Sequence, residues 1–176
     1  EYHRAKCFQI KIPTKTGSAQ AIYYDCKALK ETIRIIKQER IENPIVYVLA
    51  CRIGPFWGHY VRKIHQLGGS VFLNPDGHEW KRAKWNRIIR QYWKKSEKQM
   101  VKKSDLVICD SVNIEKYIQE TYEVTATTFI AYGAETRKSI AACRRHNTQY
   151  TAERCWIVIL LCIFSSCIVR SCMAIV

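Results

Sequence analysis

Acidic residues are scarce in this chain of 176 residues, where 15 Asp and Glu stand against 29 Lys and Arg and the formal net charge is +14. A balance this basic predicts an anionic partner, which can be a nucleic acid, a phospholipid surface or a phosphate-bearing small molecule. The charge by itself does not choose among these three classes.

Several sequence motifs of catalysis and metal binding are also missing. The chain has no Walker loop and no GxSxG, GxGxxG or HExxH segment, so hydrolases, nucleotide kinases and dinucleotide-dependent enzymes have no support. Its nine cysteines include no CxxC and no paired Cys/His spacing, and their odd number argues against a disulfide framework. We therefore expect no metal site and a reducing, cytoplasmic compartment.

No secretion signal is visible at the start, and the apolar run at residues 155–169 is only fifteen residues long, shorter than the roughly 20 that span a membrane. From about Ile140 onwards Lys and Asp disappear and cysteines multiply. A membrane anchor at 155–176, a core element, and out-of-frame translation after a frameshift near Lys138 are three explanations. We favour the last, and we expect one domain at 1–138 and an out-of-frame or disordered cysteine-rich tail at 139–176.

Residues 6–133 alternate between strand-like and helix-like patterns. Apolar or alternating runs predict strands, and periodic runs bounded by Gly, Pro or Ser predict the helices between them. The predicted strands are 7–12, 45–50, 71–73, 106–109 and 127–131. This order predicts an α/β fold with a doubly wound, mostly parallel Rossmann-like sheet.

A tight turn follows the third predicted strand. Residues 74–77 read Asn-Pro-Asp-Gly, in which Pro75 fixes φ and Gly77 can take positive φ. Asp76 is thereby left at the carboxyl end of a strand, where open α/β sheets bind ligands. With Glu79 it forms a carboxylate pair beside basic residues, which indicates a polar site. An ordinary loop before a solvated, charged helix explains the pattern equally well.

A helical pattern begins at Trp80, and residues 78–103 hold ten Lys and Arg against two Glu. This density favours a surface that binds nucleic acid, a membrane or a phosphate ligand, and anionic lipid attracts each nearby cation by about 1 kcal/mol. In the alternative interpretation the lysines only fill the solvent side of a helix. The stripe that would then cover the sheet is Trp85, Ile88, Ile89 and Tyr92.

Two further segments lie where predicted strands end. Asp110 and Ser111 follow the fourth strand, and Ser111 can cap a helix whose free N–H groups suit an anion, a property that every βα unit shares. Tyr132 and Gly133 follow the fifth strand, and Gly133 permits a close backbone approach.

Five segments of this chain resemble the N-terminal part of bacterial glycosyltransferases of family 4, and above all the streptococcal β-1,4-rhamnosyltransferases of capsule and cell-wall polysaccharide synthesis. The segments are 63–69, 74–85, 104–110, 113–120 and 127–134, and the NPDG–EWKR–KW string within 74–85 is the most specific. The resemblance covers about residues 6–138 and implies a chain truncated at both ends. One departure is His78, where an apolar residue is expected.

The resemblance implies a retaining, metal-independent enzyme of GT-B architecture, with an acceptor domain and a donor domain facing each other across a cleft. L-Rhamnose would move from dTDP-L-rhamnose to a sugar on a polyprenyl diphosphate carrier at the cytoplasmic face of the membrane. The donor would bind in the missing C-terminal domain, so no cofactor is expected here, the catalytic residues stay unknown, and the chain alone should be inactive.

The same resemblance implies roles for individual residues. Asp76 and Glu79 would hydrogen-bond sugar hydroxyls, Trp80 would stack on a sugar, and Arg82 and Lys84 would meet phosphate. The expected acceptor-binding residues are Asp76, Gly77, Glu79, Trp80, Arg82 and Lys84, and the expected cleft-lining residues are Asp110, Ser111, Tyr132 and Gly133.

The expected partners are the nucleotide-sugar donor, the lipid-linked acceptor and an anionic membrane surface, and no nucleic acid is expected. Two alternatives from other classes stay open: a basic nucleic-acid-binding module, and a small interaction protein anchored in the membrane by residues 155–176.

Overall fold

The computed structural model of the chain describes residues 6–10, 19–83, 85–131, 157–161 and 172–175. Strands and helices alternate along most of this length. The strands are β1 (Lys6–Gln9), β2 (Ile45–Leu49), β3 (Ser70–Asn74), β4 (Leu106–Cys109), β5 (Thr127–Phe129), β6 (Ile157–Leu161) and β7 (Cys172–Ile175). The helices are α1 (Gln20–Glu39), α2 (Gly54–His65), α3 (Arg87–Lys103) and α4 (Val112–Tyr122), with a 3-10 turn at Glu79–Lys81.

The strands form one sheet in the order β1-β7-β6-β2-β3-β4-β5. Each neighbouring pair from β6 to β5 is parallel, whereas β7 pairs antiparallel with both β6 and β1. From β2 the chain steps outward through β3, β4 and β5, and β6 then lies on the other side of β2. The predicted fold class, an α/β fold with a doubly wound, mostly parallel Rossmann-like sheet, is confirmed.

The core forms because alternate strand residues point to one face of the sheet. Val46 and Val48 of β2 are fully buried, as are Val71 and Leu73 of the neighbouring β3. The four helices add their apolar stripes to the same core. The largest of these side chains are Tyr24, Leu29 and Ile36 on α1, Trp57 and Ile64 on α2, Met100 on α3 and Ile118 on α4.

The helix after β3 begins later than its sequence pattern predicts. The prediction of a start at Trp80 is wrong, because α3 begins at Arg87 after Asn86, whose side-chain oxygen accepts a 2.9 Å hydrogen bond from the backbone N–H of Ile89. The predicted covering stripe is wrong as well, since Ile88 is 77% exposed. The buried face of α3 consists of Trp93, Ser96, Glu97, Met100 and Val101.

The described part of the apolar tail consists of β6 and β7, which lie inside the sheet, β6 beside β2 and β7 between β6 and β1. The structure thus places strands in a segment for which we favoured an out-of-frame origin. The boundary near residue 138 and the frameshift hypothesis stay predictions. Among the described residues, no helix has both the length and the apolar character needed to cross a membrane.

Candidate functional site

The turn after β3 presents a carboxylate at the carboxyl edge of the sheet. Its left-handed residue is Asp76, with φ 59°, and the expectation of positive φ at Gly77 is wrong. The reason is local: the side-chain oxygen of Asn74 accepts a 2.8 Å hydrogen bond from the Asp76 N–H, an Asx-type turn that Asp tolerates. Pro75 is buried beneath this corner, whereas Asp76 and Gly77 are exposed.

The loop that follows is closed by its own side chains. The Glu79 carboxylate accepts a 3.1 Å hydrogen bond from the Trp85 indole N–H and pairs with the Arg82 guanidinium at 2.7 Å. Glu79 is therefore engaged within the loop, and its predicted sugar contact stays a prediction. Lys84 lies outside the described residues.

A groove lies between the 3-10 turn and the first two turns of α3. Its volume is about 530 Å³. The residues that line it are Trp80, Lys81, Arg87, Arg90, Gln91 and Lys94. The ammonium nitrogens of Lys94 and Lys81 lie 4.9 Å and 5.3 Å from the centroid of the Trp80 ring, within the range of cation–π attraction. We call these six residues the basic groove.

The four cationic side chains of the groove repel each other, and a bound anion would offset this repulsion. A planar indole beside them offers a face on which a sugar or another flat apolar group can stack. The groove therefore suits a ligand that carries phosphate next to an apolar or saccharide part. Of its six residues, the sequence interpretation gave a ligand contact only to Trp80, and it counted Lys81 among the basic residues beside the carboxylate pair.

A polar cluster joins α3 and α4 and contacts the loop that carries Trp80. Glu97 on α3, 4% exposed, accepts hydrogen bonds from the hydroxyls of Tyr117 and Tyr122 on α4, at 2.7 Å and 2.5 Å. Burial raises the pKa of both phenols above their usual value, and the bond to Glu97 raises that of Tyr122 further. The His78 ring lies 4.1 Å from the Tyr117 ring, so the cluster touches the loop that carries Trp80.

The predicted cleft-lining residues are partly placed. Asp110 follows β4 directly, and β4 is the parallel neighbour of β3, so Asp110 and Asp76 lie at the same edge of the sheet. The Ser111 side chain caps α4 by accepting a 3.3 Å hydrogen bond from the Asn113 N–H, as expected. Tyr132 and Gly133 lie outside the described residues.

Sequence reasoning missed an ion pair at the end of β2. Arg52 lies three residues beyond this strand, and its guanidinium is 3.5 Å from the carboxylate of Asp25 on α1. An Arg just after an apolar strand was a usable signal, because strand ends carry function in this fold class. Asp25 had no such signal, since it meets Arg52 only after α1 packs on the sheet.

Exposed apolar side chains of the described residues gather at one end of the molecule. Each belongs to the first turn of a helix, to the last residue of β5 or to the residue after it, which places all of them near the carboxyl edge of the sheet. They are Tyr23, Phe56, Ile88, Val112, Phe129 and Ile130. An edge that combines apolar side chains with the basic groove is typical of an interaction surface.

The described residues bring no three His, Cys, Asp or Glu side chains together in a way that could hold a metal ion. What they bring together at the carboxyl edge is a carboxylate corner and a cationic, tryptophan-bearing groove. These features define an α/β domain equipped for an anionic ligand.

Comparison with known proteins gives the family. Residues 1–135 match a family described as "Domain of unknown function (DUF1972)". The chain therefore belongs to this family, whose domain is found in glycosyltransferase-like proteins. The matched range ends close to the boundary predicted near residue 138. Neither the curated proteins nor the solved structures contain a match to this chain.

Proposed function

We propose that this chain is the acceptor-side domain of a retaining glycosyltransferase that transfers L-rhamnose from dTDP-L-rhamnose to a sugar on a polyprenyl diphosphate. The basic groove carries the proposal. The diphosphate would lie among Arg87, Arg90 and Lys94, because guanidinium and ammonium groups form strong charge-assisted hydrogen bonds with phosphate oxygens.

The position of the carboxylate corner supports a sugar beside the diphosphate. Asp76 is exposed on the segment that leads from β3 into the groove, and an ionised carboxylate accepts hydrogen bonds from sugar hydroxyls. Trp80, which lines the groove, is a stacking face for the same ligand once Lys94 or Lys81 moves off its ring. By the family resemblance, the donor would be held by a second domain facing this edge.

A membrane surface fits the same end of the molecule, and we place the protein at the cytoplasmic face of the membrane. Ile88 projects into solvent between Arg87 and Arg90 on the first turn of α3. An apolar side chain flanked by cations inserts among anionic headgroups while the cations stay at their surface. The lipid-linked acceptor would then reach the groove without leaving the bilayer.

A binding titration tests the proposal. Calorimetry would measure the affinity of the 176-residue chain for farnesyl diphosphate linked to N-acetylglucosamine. Each lost charge-assisted contact is expected to weaken binding about 10-fold, so Arg90→Gln and Lys94→Gln should each do so. Lys102→Gln, which removes an equal charge from the last turn of the same helix, should change the affinity less than 2-fold, or less than about 0.4 kcal/mol.

Two outcomes would contradict the proposal. In the first, the wild-type chain does not bind the glycolipid, or Lys102→Gln weakens binding as much as Arg90→Gln. In the second, generic duplex DNA binds more tightly than the glycolipid and with a steep salt dependence, which would favour a nucleic-acid-binding module.

Vesicle flotation tests the proposed membrane contact. Anionic phosphatidylglycerol vesicles should carry the protein upwards, whereas phosphatidylcholine vesicles should not, and Ile88→Ser should reduce the fraction of protein that floats.

A further inference from the structure

A second cationic side chain lies at the carboxyl edge, outside the basic groove. We propose that Arg52 binds a diphosphate group there and that Asp25 is the positioning residue that holds its guanidinium. This inference rests on the proposed function, because it assigns to the same cleft a further contact with a diphosphate. The diphosphate can belong to the nucleotide sugar or to the lipid carrier.

The topology of the sheet places Arg52 where a ligand is expected. The chain leaves β2 on one side towards β3, and on its other side β2 pairs with β6. The boundary between β2 and β6 is therefore the point at which the strand order reverses, and open α/β sheets bind ligands in the crevice outside the strand ends at this point. Arg52 lies three residues beyond the end of β2, at that crevice.

The ion pair with Asp25 has the character of a positioning contact. Asp25 is 2% exposed, and the Arg52 Nη1 atom that faces it is buried, whereas 15% of the Arg52 side chain still meets solvent. Removing two charges from water costs several kcal/mol per ion, and replacing a buried ion pair by apolar side chains is often neutral or stabilising. Stability alone is thus a weak reason for the pair, whereas a fixed cation at the cleft gives it a function.

The backbone that carries Arg52 is held rigidly by α3. The hydroxyl of Tyr92 donates a 2.8 Å hydrogen bond to the carbonyl of Arg52, and the hydroxyl of Ser96 donates one of the same length to the carbonyl of Cys51. Tyr92 and Ser96 are four residues apart and share a face of α3. A ligand-binding residue held by such supports loses little conformational entropy when it binds.

Backbone strain marks the same segment. Ala50, directly after β2, has φ 76°, a left-handed conformation that costs a residue with a Cβ roughly 1–2 kcal/mol. Asp76, in the corner after the neighbouring strand β3, has φ 59°. Strained residues collect at functional sites because surrounding contacts hold them there. Ala50 lies two residues before Arg52, at the edge where the proposal places the ligand.

The test compares variants of the full 176-residue chain at Arg52 and Asp25. Calorimetry would measure the affinities of dTDP and of farnesyl diphosphate for Arg52→Gln, Arg52→Lys and Asp25→Asn. Arg62→Gln is the matched control, because Arg62 is an exposed arginine on the last turn of α2, at the opposite edge of the sheet. Thermal unfolding of each variant shows that it is folded, and the double variant Asp25→Asn with Arg52→Gln avoids leaving either charge buried alone.

We expect Arg52→Gln and the double variant to weaken diphosphate binding about 10- to 100-fold, the usual effect of a lost charged hydrogen bond. Asp25→Asn should weaken it less than Arg52→Gln, with Asp25→Glu restoring affinity. Loss of dTDP affinity assigns Arg52 to the donor, and loss of farnesyl diphosphate affinity assigns it to the carrier. Affinities for both probes that match those of Arg62→Gln would overturn this inference alone. A wild-type chain that binds neither probe would overturn the proposed function together with it.

Discussion

The hydroxyl of Tyr117 on α4 donates a 2.7 Å hydrogen bond to the buried carboxylate of Glu97 on α3, while its ring faces His78 in the candidate site. One phenol thus joins a core carboxylate to the loop that carries Trp80. The second phenol, Tyr122, bonds to the same carboxylate oxygen, so two side chains of α4 share one acceptor on α3.

We predict that Glu97→Ala destabilises the protein by about 2–4 kcal/mol, because a buried phenol, Tyr122, and a partly buried one, Tyr117, lose their acceptor. Glu97→Gln keeps a carbonyl oxygen at the same place and should cost about half as much. Urea unfolding followed by circular dichroism measures both. Glu120→Ala is the control, since it breaks only an exposed pair with Lys116 at 3.9 Å and should cost less than about 0.5 kcal/mol. Equal costs for Glu97→Ala and Glu120→Ala would contradict the structural role of the cluster.

Gly54 and Gly77 differ in the space that an added Cβ would find. A Cβ on Gly54 would lie 2.4 Å from the Cα of Ser96, so α2 and α3 would have to separate. We predict a loss of about 3 kcal/mol for Gly54→Ala, typical of overpacking against rigid backbone. A Cβ on Gly77 meets nothing within 4 Å, and Gly77→Ala should change the stability by less than about 1 kcal/mol, in the stabilising direction. Urea unfolding measures the free energy of unfolding of both variants. A Gly54→Ala variant as stable as the wild type would show that α2 and α3 are not packed as described.

From β2 to β5, the sequence was sufficient for the order of strands and helices, because its local signals agree with one another. The apolar run of β2, the Gly54-Pro55 start of α2 and the Ser111 cap of α4 each lie where the pattern predicts. The start of α3 was predicted wrongly because the charged segment from Trp80 has helical spacing, whereas the capping Asn86 determines where the helix begins. The exposed Ile88 follows from that shift.

The candidate site was predictable only where it is local in sequence. The corner with Asp76 and the Trp80 segment could be recognised, since a turn and a basic run are visible in a few residues. The pairing of Arg52 with Asp25 and the bond from Tyr117 to Glu97 join residues 27 and 20 positions apart on different elements. Such contacts are set by how the helices pack, and no periodicity encodes them.

Substitutions of Asp76 separate its backbone role from its proposed sugar contact. Because φ at this position is 59°, Asp76→Val should cost about 1–2 kcal/mol of unfolding free energy, whereas Asp76→Gly should be nearly neutral. Asp76→Asn also tolerates the left-handed conformation and removes only the charge. We predict that it keeps the wild-type stability but weakens binding of the farnesyl diphosphate-linked sugar about 10-fold. Calorimetry and urea unfolding on the same samples test this, and unchanged glycolipid affinity in Asp76→Asn would remove Asp76 from the site.

His78 makes the stability of the site depend on pH. Burial lowers the pKa of its imidazole below the ordinary value, and the positive charge of Lys81 lowers it further. As the pH falls below about 6.5, the unfolded chain binds this proton before the folded chain does. His78 therefore contributes stability above that pH, and this contribution is lost as the pH falls through the folded pKa.

We predict that His78→Phe, which keeps an aromatic ring against Tyr117, loses less unfolding free energy than wild type between pH 7 and pH 5, as about one proton fewer is taken up. Lys81→Gln should raise the His78 pKa towards its ordinary value, because it removes the second cause of the shift. Urea unfolding at several pH values measures the first effect, and an NMR titration of the imidazole protons measures the second. If the two curves of unfolding free energy against pH ran parallel, or if the His78 titration lay above its ordinary pKa, the ring would not be desolvated between Trp80 and Tyr117. The groove would then lack the support that holds its tryptophan in place.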